Sequence, residues 1–141
     1  NLAIGEKTAE ELKIKVGAAV PLNEELTMPV KGRDLMSGLP RTVELSTNEL
    51  VQAMARELRE MTQAIRKVLQ DTPPELAADI IDNGIILTGG SSQLRQMPEL
   101  VYRRTGVVAK LGQDPYFCVA RGTGVALKHL DTYQKSILAK Q

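Results

Sequence analysis

The run Gly84-Ile85-Ile86-Leu87-Thr88-Gly89-Gly90-Ser91-Ser92-Gln93-Leu94 carries the strongest chemical signal in the chain. Three apolar residues lead straight into Thr-Gly-Gly-Ser-Ser. That order reads as a buried strand, a tight glycine turn and a helix start. Paired glycines at a strand end let bare backbone approach whatever lies above the sheet edge. In open α/β folds, ligands bind beyond the carboxyl ends of strands, at such turns. Free N–H groups at a helix start favour an anion or a polar ligand edge. Two readings stay open for this run. One is contact with a nucleotide or phosphate; the other is a plain β-turn-α connection in which Gly89 only relieves steric conflict.

Other chemistry is scarce. The single histidine, His129, lies near the end of an amphipathic helix and reads as a surface residue facing the helix terminus. With one His and one Cys, no zinc site of the usual ligand set can form. No Ser-His-Asp order, GxSxG elbow, Walker pattern or GxGxxG run is present. Cys118 sits within the run from Tyr116 to Ala120 and reads as core rather than nucleophile. No catalytic residue is assigned. Asp79 and Asp82 are close in sequence, but Asp82 is explained by a helix end.

Composition narrows the classes further. A chain of 141 residues fits one domain or one lobe of a larger protein. It opens on Asn1 without an initiator Met, which reads as a piece of a longer protein. Net charge is +1, from 18 basic and 17 acidic residues, against the clustered basic face that nucleic acid requires. Aromatics make up 3%, too few for a base-stacking platform. One cysteine fits a reducing compartment. No apolar run approaches the roughly 20 residues of a membrane span, and no signal-peptide pattern opens the chain.

The elements that must position the glycine turn follow from patterning. Thr8 and Glu11 form a capping-box pattern, with Gly17 as the stop and Ala9, Leu12 and Val16 on one face. Glu10 and Lys13 lie off that face. Residues 18–24 read as a loop. Residues 25–46 read as a β-hairpin, with its turn region from Gly32-Arg33-Asp34 to Gly38-Leu39-Pro40. Ser46 and Glu49 make a second capping box, opening the longest helix over 47–70, with an apolar stripe from Leu50 to Val68. Pro73-Pro74 breaks it and starts a short helix to Ile81. The strand 85–88 follows, then a helix 94–105 ending at Gly106 and a strand within 107–111. Asp114-Pro115 opens a last helix to about Leu130, whose small residues Ala120, Gly122, Gly124 and Ala126 permit close packing. The tail from Thr132 reads as frayed.

Several of these segments, in one collinear order, resemble the C-terminal half of MreB-type bacterial actins. This family lies within the actin, sugar-kinase and heat-shock-chaperone ATPase superfamily. Ile4-Gly5-Glu6-Lys7-Thr8-Ala9-Glu10-Glu11-Leu12-Lys13 is similar to the helix opening of the second lobe. Leu26-Thr27-Met28-Pro29-Val30-Lys31-Gly32-Arg33-Asp34-Leu35, with Gly38-Leu39-Pro40-Arg41-Thr42-Val43, is similar to the family's hairpin. Thr72-Pro73-Pro74-Glu75-Leu76-Ala77-Ala78-Asp79-Ile80 is a characteristic run, and Gly84 to Gly90 matches the adenosine motif. Asp114-Pro115 and Cys118-Val119-Ala120-Arg121-Gly122-Thr123-Gly124 resemble the final segment.

The resemblance implies an α/β fold, part of the second lobe of an actin-like (ribonuclease H-like) ATPase, with a helix and β-hairpin subdomain inserted. Residues 1–18 and 72–131 would form the core subdomain on the nucleotide side, 19–71 the inserted one and 132–141 a tail. It implies an ATP-binding, filament-forming protein that guides cell-wall synthesis and rod shape, with ATP and magnesium between two lobes. Glu10 and Lys13 would reach the adenosine from their shared helix face. Gly89, Gly90 and Ser91 would pass close to the adenosine and α-phosphate. The family usually continues with a third glycine, whereas this chain has Ser91-Ser92-Gln93, adding a Cβ and a hydroxyl at the closest approach. The superfamily's two phosphate-binding hairpins and its hydrolytic residues would lie upstream of Asn1. The longer protein would then be an ATPase and this chain alone would not. Partners implied are further copies in protofilaments, the cell-wall elongation machinery and a membrane-anchored adaptor, with no nucleic acid and no direct membrane contact from this chain. The implied location is the cytoplasm, at the inner face of the cell membrane. Two rivals remain: a sugar-kinase or chaperone lobe, and a nucleotide-free interaction module using the long helix and hairpin.

Overall fold

The structure, a computed structural model, describes residues 2–130 and Tyr133; most of the expected tail lies outside the described residues. Strand β1 (Leu2–Ala3) leads into helix α1 (Glu6–Val16). Strands β2 (Thr27–Asp34) and β3 (Pro40–Ser46) form the expected hairpin, antiparallel from Thr27↔Ser46 to Arg33↔Pro40. The turn is therefore confined to residues 35–39, shorter than the turn region expected from sequence. β1 joins the far edge of β2, giving a three-stranded sheet in the order β1-β2-β3. Helix α1 packs on β2, burying Leu12 and Val16 against Val30.

The hairpin tip is fixed by one carboxylate. Asp34 Oδ1 accepts from the N–H groups of Met36 and Ser37, both at 2.9 Å, and Oδ2 accepts from Arg41 Nη1 at 2.9 Å. The Ser37 N–H, then the Arg41 guanidinium and the Met36 N–H, hold the Asp34 carboxyl well below the usual carboxylate range. A group lowered in this way stabilises the fold fully above its unfolded value, about 4. That stabilisation is lost as pH falls through the folded value. The Tm difference between the wild-type chain and Asp34→Asn is therefore expected to be constant above about pH 5 and to shrink below about pH 4. A difference that grows on acidification would contradict this assignment.

The second capping box forms as expected. Ser46 Oγ accepts from Glu49 N–H, and Glu49 Oε2 accepts from Ser46 N–H at 2.8 Å. The helix it opens is not continuous. Helices α2 (Thr47–Ala53) and α3 (Ala55–Gln70) meet at Met54, where φ is −89° and ψ is 0°. No Gly or Pro marks the break, so spacing alone reads through it. Helix α4 (Pro74–Asn83) starts at its proline and runs past Ile81 to the Gly84 cap.

Strands β4 (Ile85–Leu87) and β5 (Ala109–Leu111) pair in parallel, joined through helix α5 (Met97–Thr105). β4 is less buried than expected, with Ile86 62% exposed. Gly106 closes α5 in the left-handed conformation, as its position predicts. Helix α6 (Cys118–Lys128) buries no residue, and nothing lies within 4 Å of a Cβ built at Gly122 or Gly124. The close packing expected of its small residues is not made among the described residues.

Three helix starts depart from expectation, each for a local reason. α1 begins at Glu6 with Gly5 as its cap, and no side-chain cap forms. Glu11, the expected partner of Thr8, instead accepts from Lys15 Nζ at 2.6 Å, and Ala9 is exposed. α5 begins at Met97, because Gly90–Gln93 form a single 3-10 turn and Gln96 takes a left-handed φ of 59°. α6 begins at Cys118, because Asp114 has φ 46° and its carboxylate pairs with Arg121 rather than capping the helix. Cys118 is half-buried, with Sγ 3.2 Å from the Gln113 carbonyl oxygen.

The segment read as a loop at 18–24 begins as buried extended chain. Ala18 bridges Arg95 in parallel, and Ala19 N–H donates to the Arg95 carbonyl at 2.7 Å. A second core forms there from Ala19, Val20, Leu58, Met97 and Leu100. It joins α3 and α5 and brings the end of α1 against the segment that follows the glycine turn.

Candidate functional site

Each wall of the site follows from one local feature. Helix α1 supplies Glu10 and Lys13, three residues apart and so neighbours on one helix surface. Their side chains pair at 2.6 Å, with Lys13 41% and Glu10 58% exposed. An exposed pair of this kind stabilises a helix by only about 0.5 kcal/mol. Exchanging it for bonds to a ligand is therefore inexpensive.

The glycine turn supplies the second wall, in a form different from expectation. Gly89 has φ 87° and ψ 170°, a region that only glycine adopts readily. Its N–H donates to the Pro115 carbonyl at 2.6 Å. That donor is therefore already engaged, and no long helix begins here to hold an anion. Ser92 is buried and its hydroxyl donates to the Gly89 carbonyl at 2.7 Å. These bonds fix the turn and leave Gly90 and Ser91 facing outward. Tyr116 stands beside them, its ring 3.5 Å from a Cβ built on Gly90 and edge-on to Phe117 at 5.1 Å.

Arg95 ties the two walls together. Its Nη1 donates to the carbonyls of Ile14 at 3.3 Å and Gly17 at 3.4 Å, at the C-terminal end of α1. The break at Met54 supplies the third wall, with Met54, Glu57, Leu58 and Met61.

These walls enclose an open cavity of about 730 Å³. That falls within the range of about 300 to 1,000 Å³ usual for small-molecule sites. Glu10, Lys13, Gly90 and Ser91 all line it. Gly89 does not line it, and acts by shaping the turn. The cavity has apolar flanks, including Met54, Met61 and Met97, beneath a rim carrying both carboxylates and cations. An apolar cavity with donors and acceptors at its rim suits a small molecule that has both apolar and polar groups. Among the described residues no group of three His, Cys, Asp or Glu could hold a metal ion. No described helix is long and apolar enough to cross a membrane.

Sequence reasoning missed the methionines, Glu57, Arg95 and Tyr116. Met54 and Met61 fell within the stripe read as core; Met61 is 41% exposed because it faces the cavity.

A profile of the MreB/Mbl protein family matches residues 1–135. The chain is 41% identical over 138 residues to the cell shape-determining protein Mbl of Bacillus subtilis, covering 98% of this chain and 41% of that protein. It is 38% identical over 138 residues to the cell shape-determining protein MreB of Escherichia coli K12, covering 98% and 40%. Its fold matches crystal structures of MreB5 of Spiroplasma citri. The ADP-bound form aligns with a TM-score of 0.86 at 35% identity, over 97% of this chain and 41% of that one. The AMPPNP-bound form aligns with a TM-score of 0.87 at 33% identity, over 98% and 41%. The chain spans about two fifths of the length of the curated relatives it matches.

Proposed function

Because the chain belongs to the MreB/Mbl family, we propose that it forms the adenosine side of an ATP-binding cleft in a filament-forming bacterial actin homologue that determines cell shape. The observation that carries this reading is the cavity that gathers Glu10, Lys13, Gly90 and Ser91 from two distant segments. Glu10 accepts from ribose hydroxyls, and Lys13 donates to the ribose or base edge. Gly90 and Ser91 let backbone run beside the sugar and α-phosphate. The methionines and Tyr116 provide apolar contact for the base. ATP would supply the cleavable phosphate; the side chains here would bind and orient its adenosine end. Support for a nucleotide comes from the related MreB5 structures, one bound to ADP and one to AMPPNP. We assign no magnesium ligand to this chain.

The proposed division places residues from both parts around the cavity, and the packing of α1 on β2 and of α3 on α5 crosses it. Residues 1–18 and 72–131 supply Glu10, Lys13 and the glycine turn, and residues 19–71 supply Met54 to Met61. The strand pairing of β1 with β2 crosses that division. The whole protein assembles with further copies of itself into protofilaments. It works with the cell-wall elongation machinery through a membrane-anchored adaptor, on the cytoplasmic face of the membrane. ATP hydrolysis belongs to the protein at its full natural length.

The test is ATP affinity of the full-length protein by calorimetry. Glu10→Ala and Lys13→Ala are each expected to weaken binding about tenfold, the effect of losing one charged hydrogen bond of about 1.5 kcal/mol. Both residues are exposed, so the fold should survive either change. Unchanged affinity in both variants would remove α1 from the site.

A further inference from the structure

A second hollow, of about 310 Å³, shares one wall with the nucleotide cavity. Leu58 lines both. Its floor is apolar and buried: Val20, Val51, Leu58 and Leu100. All the charged residues lining it are arginines: Arg59 from α3, and Arg103 and Arg104 from the last turn of α5. All three are exposed. Arg103 Nε donates to Glu99 Oε1 at 2.7 Å, one turn back. Arg59 and Arg104 form no ion pair among the described residues. No carboxylate lines the hollow.

The groove is less than half the volume of the nucleotide cavity, the size for one or two apolar side chains. Its fork-shaped cations match carboxylates in two-bond geometry, which lysine does not. An apolar floor rimmed by arginine has the composition of a protein interface. A free phosphate or a nucleic-acid backbone would leave that floor unused.

We propose that this groove docks an acidic segment of a partner protein, with one apolar side chain seated on Val20, Val51 and Leu100 and carboxylates on Arg59 and Arg104. This proposal stands independently of the nucleotide reading. Docking here shares the Leu58 wall with the nucleotide cavity, so the two sites touch through one side chain.

The test is selection of a random dodecapeptide library on the full chain, with counter-selection on the Arg59→Glu, Arg104→Glu double variant. Both residues are exposed, and far-UV circular dichroism should show the variant folded. Peptides that survive should combine two or more carboxylates with a Leu, Ile or Phe. Their affinity, read by fluorescence anisotropy, should fall about tenfold or more in each single variant and weaken with added salt. Arg59→Lys should lose part of the affinity, since charge remains but the fork does not. The proposal is overturned if no peptide survives counter-selection, if survivors lack acidic residues, or if millimolar inorganic phosphate displaces them. That last result would mark a simple anion site.

Discussion

Replacing Gly84 with alanine is expected to cost the fold about 3 kcal/mol, roughly 10 °C in Tm for a chain of this size. Two effects add. Gly84 has φ 82° and ψ −169°, a conformation whose strain alone costs about 1 to 3 kcal/mol in a residue with a side chain. A Cβ built there also lies 2.6 Å from the Val108 carbonyl oxygen. That oxygen is not free to move, because it accepts the Ile85 N–H at 2.8 Å, the first bond between the β4 and β5 segments. Alanine must either break that bond or displace the strand that carries the glycine turn. Gly89→Ala is the control: Gly89 has φ 87° and ψ 170°, close to the Gly84 conformation, with nothing within 4 Å of a Cβ built there. Urea unfolding of the two variants separates strain from collision. Equal losses would mean that the Val108 contact contributes nothing.

Leu58→Ala is expected to destabilise the chain by about 2 to 5 kcal/mol, the range for truncating a buried leucine. Leu58 is 6% exposed and joins Ala19, Val20, Met97 and Leu100 in the core between α3 and α5. It also lines both the larger cavity and the arginine groove, so truncating it would open one hollow toward the other. Core collapse is therefore limited, which places the loss in the upper part of that range. Leu58→Met, close to constant in volume, should cost less than about 1.5 kcal/mol. A loss below about 1 kcal/mol for Leu58→Ala would show that this wall is not packed core.

What could be read in advance was local. The hairpin was legible because alternation over residues 25–46 depends only on the pleat. The Ser46–Glu49 box was legible because both its bonds lie within four residues. Thr8 and Asp114 carried equally good cap signals and failed. Lys15 claims the carboxylate Thr8 needed as its partner, and Arg121 claims that of Asp114. The break at Met54 had no Gly or Pro to announce it, yet it places the third wall of the cavity. Those outcomes depend on partners that spacing cannot rank.

The site was legible in the same uneven way. Gly90 and Ser91 stood out by type, and Glu10 and Lys13 through resemblance to the MreB family. Gly89 was picked for close approach of bare backbone to a ligand; it does not line the cavity, its N–H is bound to Pro115, and its positive φ shapes the turn. Met54 and Met61 lie two turns apart at the start of α3, but Met97 and Tyr116 are distant from them in sequence and join them only across α5 and the turn before α6. The sugar-kinase and chaperone alternatives give way to the match with the MreB/Mbl family over residues 1–135.

The methionines give the most direct measurement. The chain has five: Met54, Met61 and Met97 line the cavity, while Met28 packs beside the α1 core and Met36 is 84% exposed at the hairpin tip. The experiment is a 13C-methyl methionine spectrum of the full-length protein, recorded with and without ATP, with each signal assigned by a single Met→Leu change. The account predicts that nucleotide shifts the Met54, Met61 and Met97 methyl signals and leaves Met28 and Met36 in place. Saturating ATP that leaves those three signals unmoved would contradict it, because the adenosine would then sit elsewhere.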